Sequence, residues 1–145
     1  DVAARFGVDV LVNATSDRWS ATIPDDQRPD VVVEAVGHQT ATLSHAIAAV
    51  APGGLVFAFG VPDEPVYPVP VLELFRKSAT LRAGVIGERR AALAAADRYL
   101  RAHPDLQDAF VTHRFPMTQA QRAFEVAATP SSGRLKVQLL VEGGT

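Results

Sequence analysis

Four histidines and no cysteine bound the side-chain chemistry open to this chain of 145 residues. Without thiols there is no disulfide, thiolate zinc cluster, CxxC redox pair or cysteine nucleophile, so only imidazoles and carboxylates could hold a metal. His38, His45, His103 and His113 show neither HExxH nor His-x-His spacing and read as surface or helix-end residues. Ser44 precedes His45, but neighbours on a helix diverge by about 100° and cannot act as nucleophile and base. There is no GxSxG elbow either. Asp63 and Glu64 are adjacent on a proline-rich stretch; adjacency is not the opposed placement an acid/base pair needs, and they read as turn residues. Trp19 and Tyr67 are single aromatics that could line a pocket or simply pack. What survives is positional: Ala35-Val36-Gly37 and Phe59-Gly60-Val61 each follow an apolar run. In a doubly wound parallel sheet, ligands lie beyond the carboxyl ends of the strands, and glycine there lets a flat ligand approach the main chain. The plainer alternative, glycine as punctuation, stays open at this point.

The elements that would place those residues alternate between strand and helix. Asp1 to Phe6 reads as the tail of a helix with Gly7 at its end, Val8 to Val12 as a short strand, and the pair predicts a fragment of something longer. After a polar stretch from Trp19 to Pro29, the run from Asp30 to Gly37 predicts a strand buried on both faces. Leu43, Ala46, Ile47 and Val50 form one apolar helical stripe with His45 on the other side. Pro52-Gly53-Gly54 turns the chain into a second apolar strand, Leu55 to Phe59, so that residues 30–60 predict a right-handed parallel strand-helix-strand crossover. Pro62, Pro65, Pro68 and Pro70 then favour an extended loop. A short helix, Leu72 to Lys77, and a strand, Thr80 to Val85, follow. Beyond Gly87 a helix with an inward Leu93, Ala96, Leu100 stripe is expected to stop near His103-Pro104. Phe110 to Phe115 reads as a strand, Thr118 to Gln121 as a capping box opening a helix through Ala128, and Leu135, Val137, Leu139 and Val141 as one face of a last strand. This part predicts an appended layer rather than further crossovers.

Composition agrees with one soluble globular domain: 48% hydrophobic residues, 21% charged and a formal charge of −2. No run approaches the ~20 apolar residues that span a bilayer. Residues 1–75 hold 3 Lys/Arg against 10 Asp/Glu and the remainder 11 against 6; such a skew reads as solvated helix faces rather than a nucleic-acid surface. The opening lacks an initiator Met, a charged leader and an apolar signal segment, and the expected location is cytoplasmic.

FGVDVLVN, PDVVVEAVG, VAPGGLVFAFGVP, LFRKSATLRAGV, FVTHRFPMTQAQRAFEVA and GRLKVQLLV follow one another in an order that resembles the C-terminal portion of zinc-type medium-chain alcohol dehydrogenases. VAPGGLVF alone also occurs in methyltransferases; the combination with THRFPM and the final LKV strand is far more specific. The resemblance implies an incomplete Rossmann-like parallel sheet with helices on both faces over residues 1–86, followed over 87–145 by a C-terminal segment returning to the catalytic domain. It implies hydride transfer between an alcohol or carbonyl substrate and NAD or NADP, assisted by zinc in the parent enzymes. On that basis Ala35, Val36 and Gly37 would border the cofactor ribose, and Phe59, Gly60 and Val61 the nicotinamide side. Gly84 and Val85 would offer main-chain groups to the carboxamide, and Lys136 would reach the pyrophosphate. The Tyr67 segment and the strand from Thr80 match the subunit-pairing region, implying a homo-oligomer.

The family's zinc ligands and its GxGxxG turn are absent from these residues, so no dehydrogenase activity is expected from this segment alone. A non-catalytic nucleotide-binding or regulatory module and a methyltransferase-like α/β domain are the alternatives. Neither a nucleic-acid nor a membrane partner is expected.

Overall fold

The computed structural model describes residues 3–12 and 16–141. The chain divides into two units, Val12–Gly87 and Asp1–Leu11 with Glu88–Thr145. The first eleven residues thus group with the second half of the chain.

In the Val12–Gly87 unit the elements are α1 (Ser16–Thr22), β1 (Val31–Glu34), α2 (Thr40–Ala49), β2 (Leu55–Ala58), α3 (Val71–Lys77) and β3 (Thr80–Ala83). The strands form a parallel sheet in the order β1-β2-β3, with Val32 opposite Val56 and Val56 opposite Leu81. The expected parallel pairing across residues 30–60 is therefore present. Because side chains alternate along a strand, this register puts Val32, Val56 and Leu81 on one face and Val31, Val33 and Phe57 on the other. The first face carries the core: Leu43, Ala46, Ile47 and Val50 from the predicted stripe of α2 bury against Val56, with Leu74 of α3 packed beside them. Ile47, Val50 and Val56 are fully buried, each worth about 1.5–3 kcal/mol relative to exposure. The second face is only partly covered among the described residues, Phe57 being half-buried. Val31 and Val33 remain 55% and 56% exposed, so β1 is not the strand buried on both faces that its β-branched run predicts; apolar composition promises a partner surface but does not supply one.

The C-terminal end of α2 is held from both directions in sequence. Lys77 Nζ donates to the carbonyls of Ile47 (2.9 Å), Ala48 (2.6 Å) and Val50 (3.0 Å), and Arg28 Nη1 donates to that of Ala48 at 2.5 Å. Two cations thus satisfy carbonyls that a helix end leaves without partners, at the negative pole of its dipole. Burial, and then the neighbouring Arg28, depress the Lys77 ammonium below its ordinary pKa.

The other unit holds a short 3-10 helix (Ala3–Phe6), α4 (Arg89–Ala102), α5 (Pro104–Phe110), β4 (Val111–Pro116), α6 (Ala120–Ala128) and β5 (Lys136–Leu140). Five expectations change. Residues 8–12 form no strand and stay exposed. The α4 stripe does not face inward: Leu93 is 71% exposed. α4 does stop at His103-Pro104 as expected, but Pro104 also opens an unforeseen helix, because proline fits a first helical position whose N–H needs no partner; Phe110 closes that helix rather than opening β4. The capping box does not form; a 3-10 turn, Met117–Gln119, leads into α6, and no side chain caps it. Finally, β4 and β5 are parallel, with Phe115 opposite Leu139, and α6 buries Ala123 between them in sequence. The expected appended layer is a second strand-helix-strand unit.

Candidate functional site

The carboxyl ends of β1, β2 and β3 open on one crevice of about 340 Å³. Its wall includes Gly37 after β1, Phe59, Gly60 and Val61 after β2, and Gly84 and Val85 after β3. Six of the nine residues singled out by sequence therefore share one surface. Ala35 and Val36 do not line it; they face a neighbouring hollow of about 290 Å³ beside Trp19, Gln39 and His45. Lys136 lies in the other unit, exposed at the first position of β5.

The two glycine loops are packed main chain on main chain. Gly37 has φ +79°, and a Cβ placed on it would sit 2.5 Å from the Val61 carbonyl oxygen and 2.6 Å from the Gly60 carbonyl carbon. A Cβ on Gly60 would sit 2.5 Å from Gly37 Cα and 2.9 Å from Glu34 Oε2. The lost side chains are used by the loops on each other. Room for a flat ligand is instead found towards Gly84, where an added Cβ would meet no atom within 4 Å.

Glu34, a residue sequence reasoning passed over, lies beneath both loops and is only 8% exposed. Its Oε1 accepts the N–H of Val36 at 2.9 Å and of Gly37 at 3.1 Å, and lies 2.9 Å from the Thr42 hydroxyl, whose proton also faces the Gln39 carbonyl at 2.8 Å. Its main-chain oxygen accepts from Phe59 N at 2.8 Å and Gly60 N at 2.9 Å. A carboxylate ending an apolar strand is the signal that could have found it: buried charge persists only where donors converge.

The proline-rich loop is tied to the same place. The Tyr67 hydroxyl lies 2.5 Å from the Gly37 carbonyl oxygen and against the Asp63 carboxylate. Its hydrogen bond holds the Asp63 carboxyl below its ordinary range, and the carboxylate in turn raises the phenol. Asp63 is thus more than a turn residue: it anchors the loop forming the rim.

Zinc finds no seat here. Among the described residues no three His, Cys, Asp or Glu side chains gather as a metal site would require. Nor is any described helix long and apolar enough to cross a membrane.

Residues 1–101 match the family model described as zinc-binding dehydrogenase. The chain belongs to that family. Family relatives include an L-arabinitol 4-dehydrogenase of Talaromyces emersonii, 33% identical over 140 residues, which cover 90% of this chain and 32% of the relative. The alcohol dehydrogenase of Thermus sp. ATN1 superposes with a TM-score of 0.72 at 35% identity, over 97% of this chain and 41% of that one. An E. coli alcohol dehydrogenase, solved with NADH, shares the fold at 16% identity, with a TM-score of 0.70 over 94% of this chain and 40% of its own. The chain therefore spans about a third of the length of the curated relative and two fifths of these structures. The α/β fold, with parallel sheets and helices, matches the Rossmann-like C-terminal part of such enzymes.

Proposed function

We propose that this chain forms the nicotinamide-side wall of the cofactor crevice in a zinc-type medium-chain alcohol dehydrogenase, an oxidoreductase moving hydride between a small alcohol or carbonyl compound and NAD or NADP. One observation carries the reading: loops leaving three adjacent parallel strands converge on a single crevice, the position where such sheets bind ligands. Phe59, Val61 and Val85 give that crevice exposed apolar walls against which a planar ring can pack. Main-chain groups near Gly84 and Val85 are open to a carboxamide, and Ala35 and Val36 stand on the ribose side. Lys136, in the other unit, is the cation that the family resemblance assigns to the pyrophosphate. When bound, the nicotinamide supplies the hydride donor or acceptor; the residues described here orient it. The crevice lies at the small end of ligand sites, roughly 300–1,000 Å³, which fits part of a dinucleotide rather than all of it.

Zinc ligands do not come from the described residues, and hydride transfer by this chain alone is not expected. A homo-oligomer in the cytoplasm, paired through the proline-rich segment and β3, belongs to the same reading.

Titration of isotopically labelled chain with NADH and NADPH tests it. The expected result is weak binding, in the millimolar range, with amide shifts largest at Gly37, Phe59, Gly60, Val61, Gly84 and Val85 and smaller ones at Ala35, Val36 and Lys136. Tight saturable binding with enhanced nicotinamide fluorescence would contradict the one-wall reading, and an absence of shifts at the crevice residues, or shifts produced instead by S-adenosylmethionine, would overturn the assignment.

A further inference from the structure

We infer that Glu34 is a positioning residue that couples the two glycine loops, so that one wall of the nicotinamide seat is held by a buried carboxylate. The inference rests on the cofactor reading above. Each loop is bonded to a different part of the same residue: Val36 N and Gly37 N to the carboxylate oxygen, and Phe59 N and Gly60 N to the main-chain oxygen. Between the loops, Gly37 and Gly60 touch along their backbones, leaving neither free to move without the other. Thr42 extends the connection into the first turns of α2, whose buried stripe is the core of the unit.

Packed contacts of this kind have few alternative arrangements, so a displacement at Gly37 is transmitted to Gly60 rather than absorbed. The carboxylate strengthens the first loop's bonds, since an ionised acceptor holds N–H donors about twice as strongly as a neutral one. The loop after β3 is outside this network: Gly84 has nothing near its Cα face. The geometry therefore divides the crevice into a wall set by Glu34 and an opposite wall independent of it.

The test compares Glu34→Gln and Glu34→Ala with the parent chain by amide hydrogen exchange and by NADH-induced amide shifts. In Glu34→Gln, exchange at Val36 and Gly37 is expected to quicken about tenfold. Phe59 and Gly60 should quicken about threefold, although their own acceptor is unchanged. Glu34→Ala should do more at all four, with glutamine standing as a partial rescue because it keeps an acceptor oxygen. NADH shifts at Gly37 and Gly60 should shrink while those at Gly84 and Val85 persist. A purely structural role would quicken Val56 in the core equally and weaken all shifts together; that result overturns the inference, as does unchanged exchange at Phe59 and Gly60. If Glu34→Ala does not fold, Thr42→Val is expected to raise the same four rates about threefold, and unchanged rates there overturn it too. Should NADH shift nothing in the parent chain, the cofactor reading falls, while the exchange data still decide the role of Glu34.

Discussion

Replacing Gly37 by alanine separates steric contact from backbone strain, because the same unit contains a matched control. Gly37 and Gly53 have nearly equal φ values, +79° and +75°, yet a Cβ at Gly53 meets nothing within 4 Å whereas one at Gly37 lies 2.5 Å from the Val61 carbonyl oxygen. Both substitutions incur the left-handed penalty of about 1–2 kcal/mol. Gly37→Ala also forces the loops apart, an overpacking cost of about 1–3 kcal/mol, so its total loss is about 2–5 kcal/mol against about 1–2 for Gly53→Ala. Domains are stable by only about 5–15 kcal/mol, so the difference is large enough to read. Urea unfolding followed by the fluorescence of Trp19, the one tryptophan in the chain, reports on the unit that holds both glycines. With a slope of about 1–3 kcal/mol per molar urea, the two midpoints should differ by about 1 M. Equal midpoints would refute the claim that the loops are rigidly interlocked.

Two further outcomes follow from single contacts. The Tyr67 bond lowers the Asp63 pKa from its ordinary value of 3.8, so the stabilisation of the rim is complete above that value and lost as pH falls through the lower folded one; carbon-detected titration of Tyr67→Phe should show the Asp63 midpoint rising relative to the parent chain, and an unchanged midpoint would show that the phenol does not hold it down. Ser78 ends α3 in the left-handed region at φ 50°, where glycine is free of the Cβ penalty; Ser78→Gly should raise stability by about 0.5–1 kcal/mol in urea melts, and a loss would show that the hydroxyl matters more than the backbone.

What could be read from sequence was governed by contacts close along the chain. The α2 stripe, the turn at Pro52 and the parallel partners at either end of residues 30–60 follow from periodicity and connection length, and all stand in the structure. Glycines after β1 and β2 marked the site's position, but their use on each other depends on two loops more than twenty residues apart. Glu34 escaped notice because its donors, Val36, Gly37 and Thr42, are ordinary residues until the turn after β1 brings them to one oxygen. The Leu93 stripe misled for the opposite reason: amphipathic spacing states which side of a helix is apolar and says nothing about whether a neighbour covers it. The stop at His103-Pro104 was legible, but the helix that begins at Pro104 was not, since a missing donor suits a start as well as a stop.

The exposure of Val31 and Val33 on the second face of the sheet also has a calorimetric consequence. Apolar side chains already half hydrated in the native state contribute less new hydration when the chain melts, so the heat-capacity step should fall short of the roughly 12–15 cal/mol/K per residue usual for globular proteins. A shallow step flattens the temperature dependence of stability. Cooling would then weaken this chain less than it weakens a fully covered sheet.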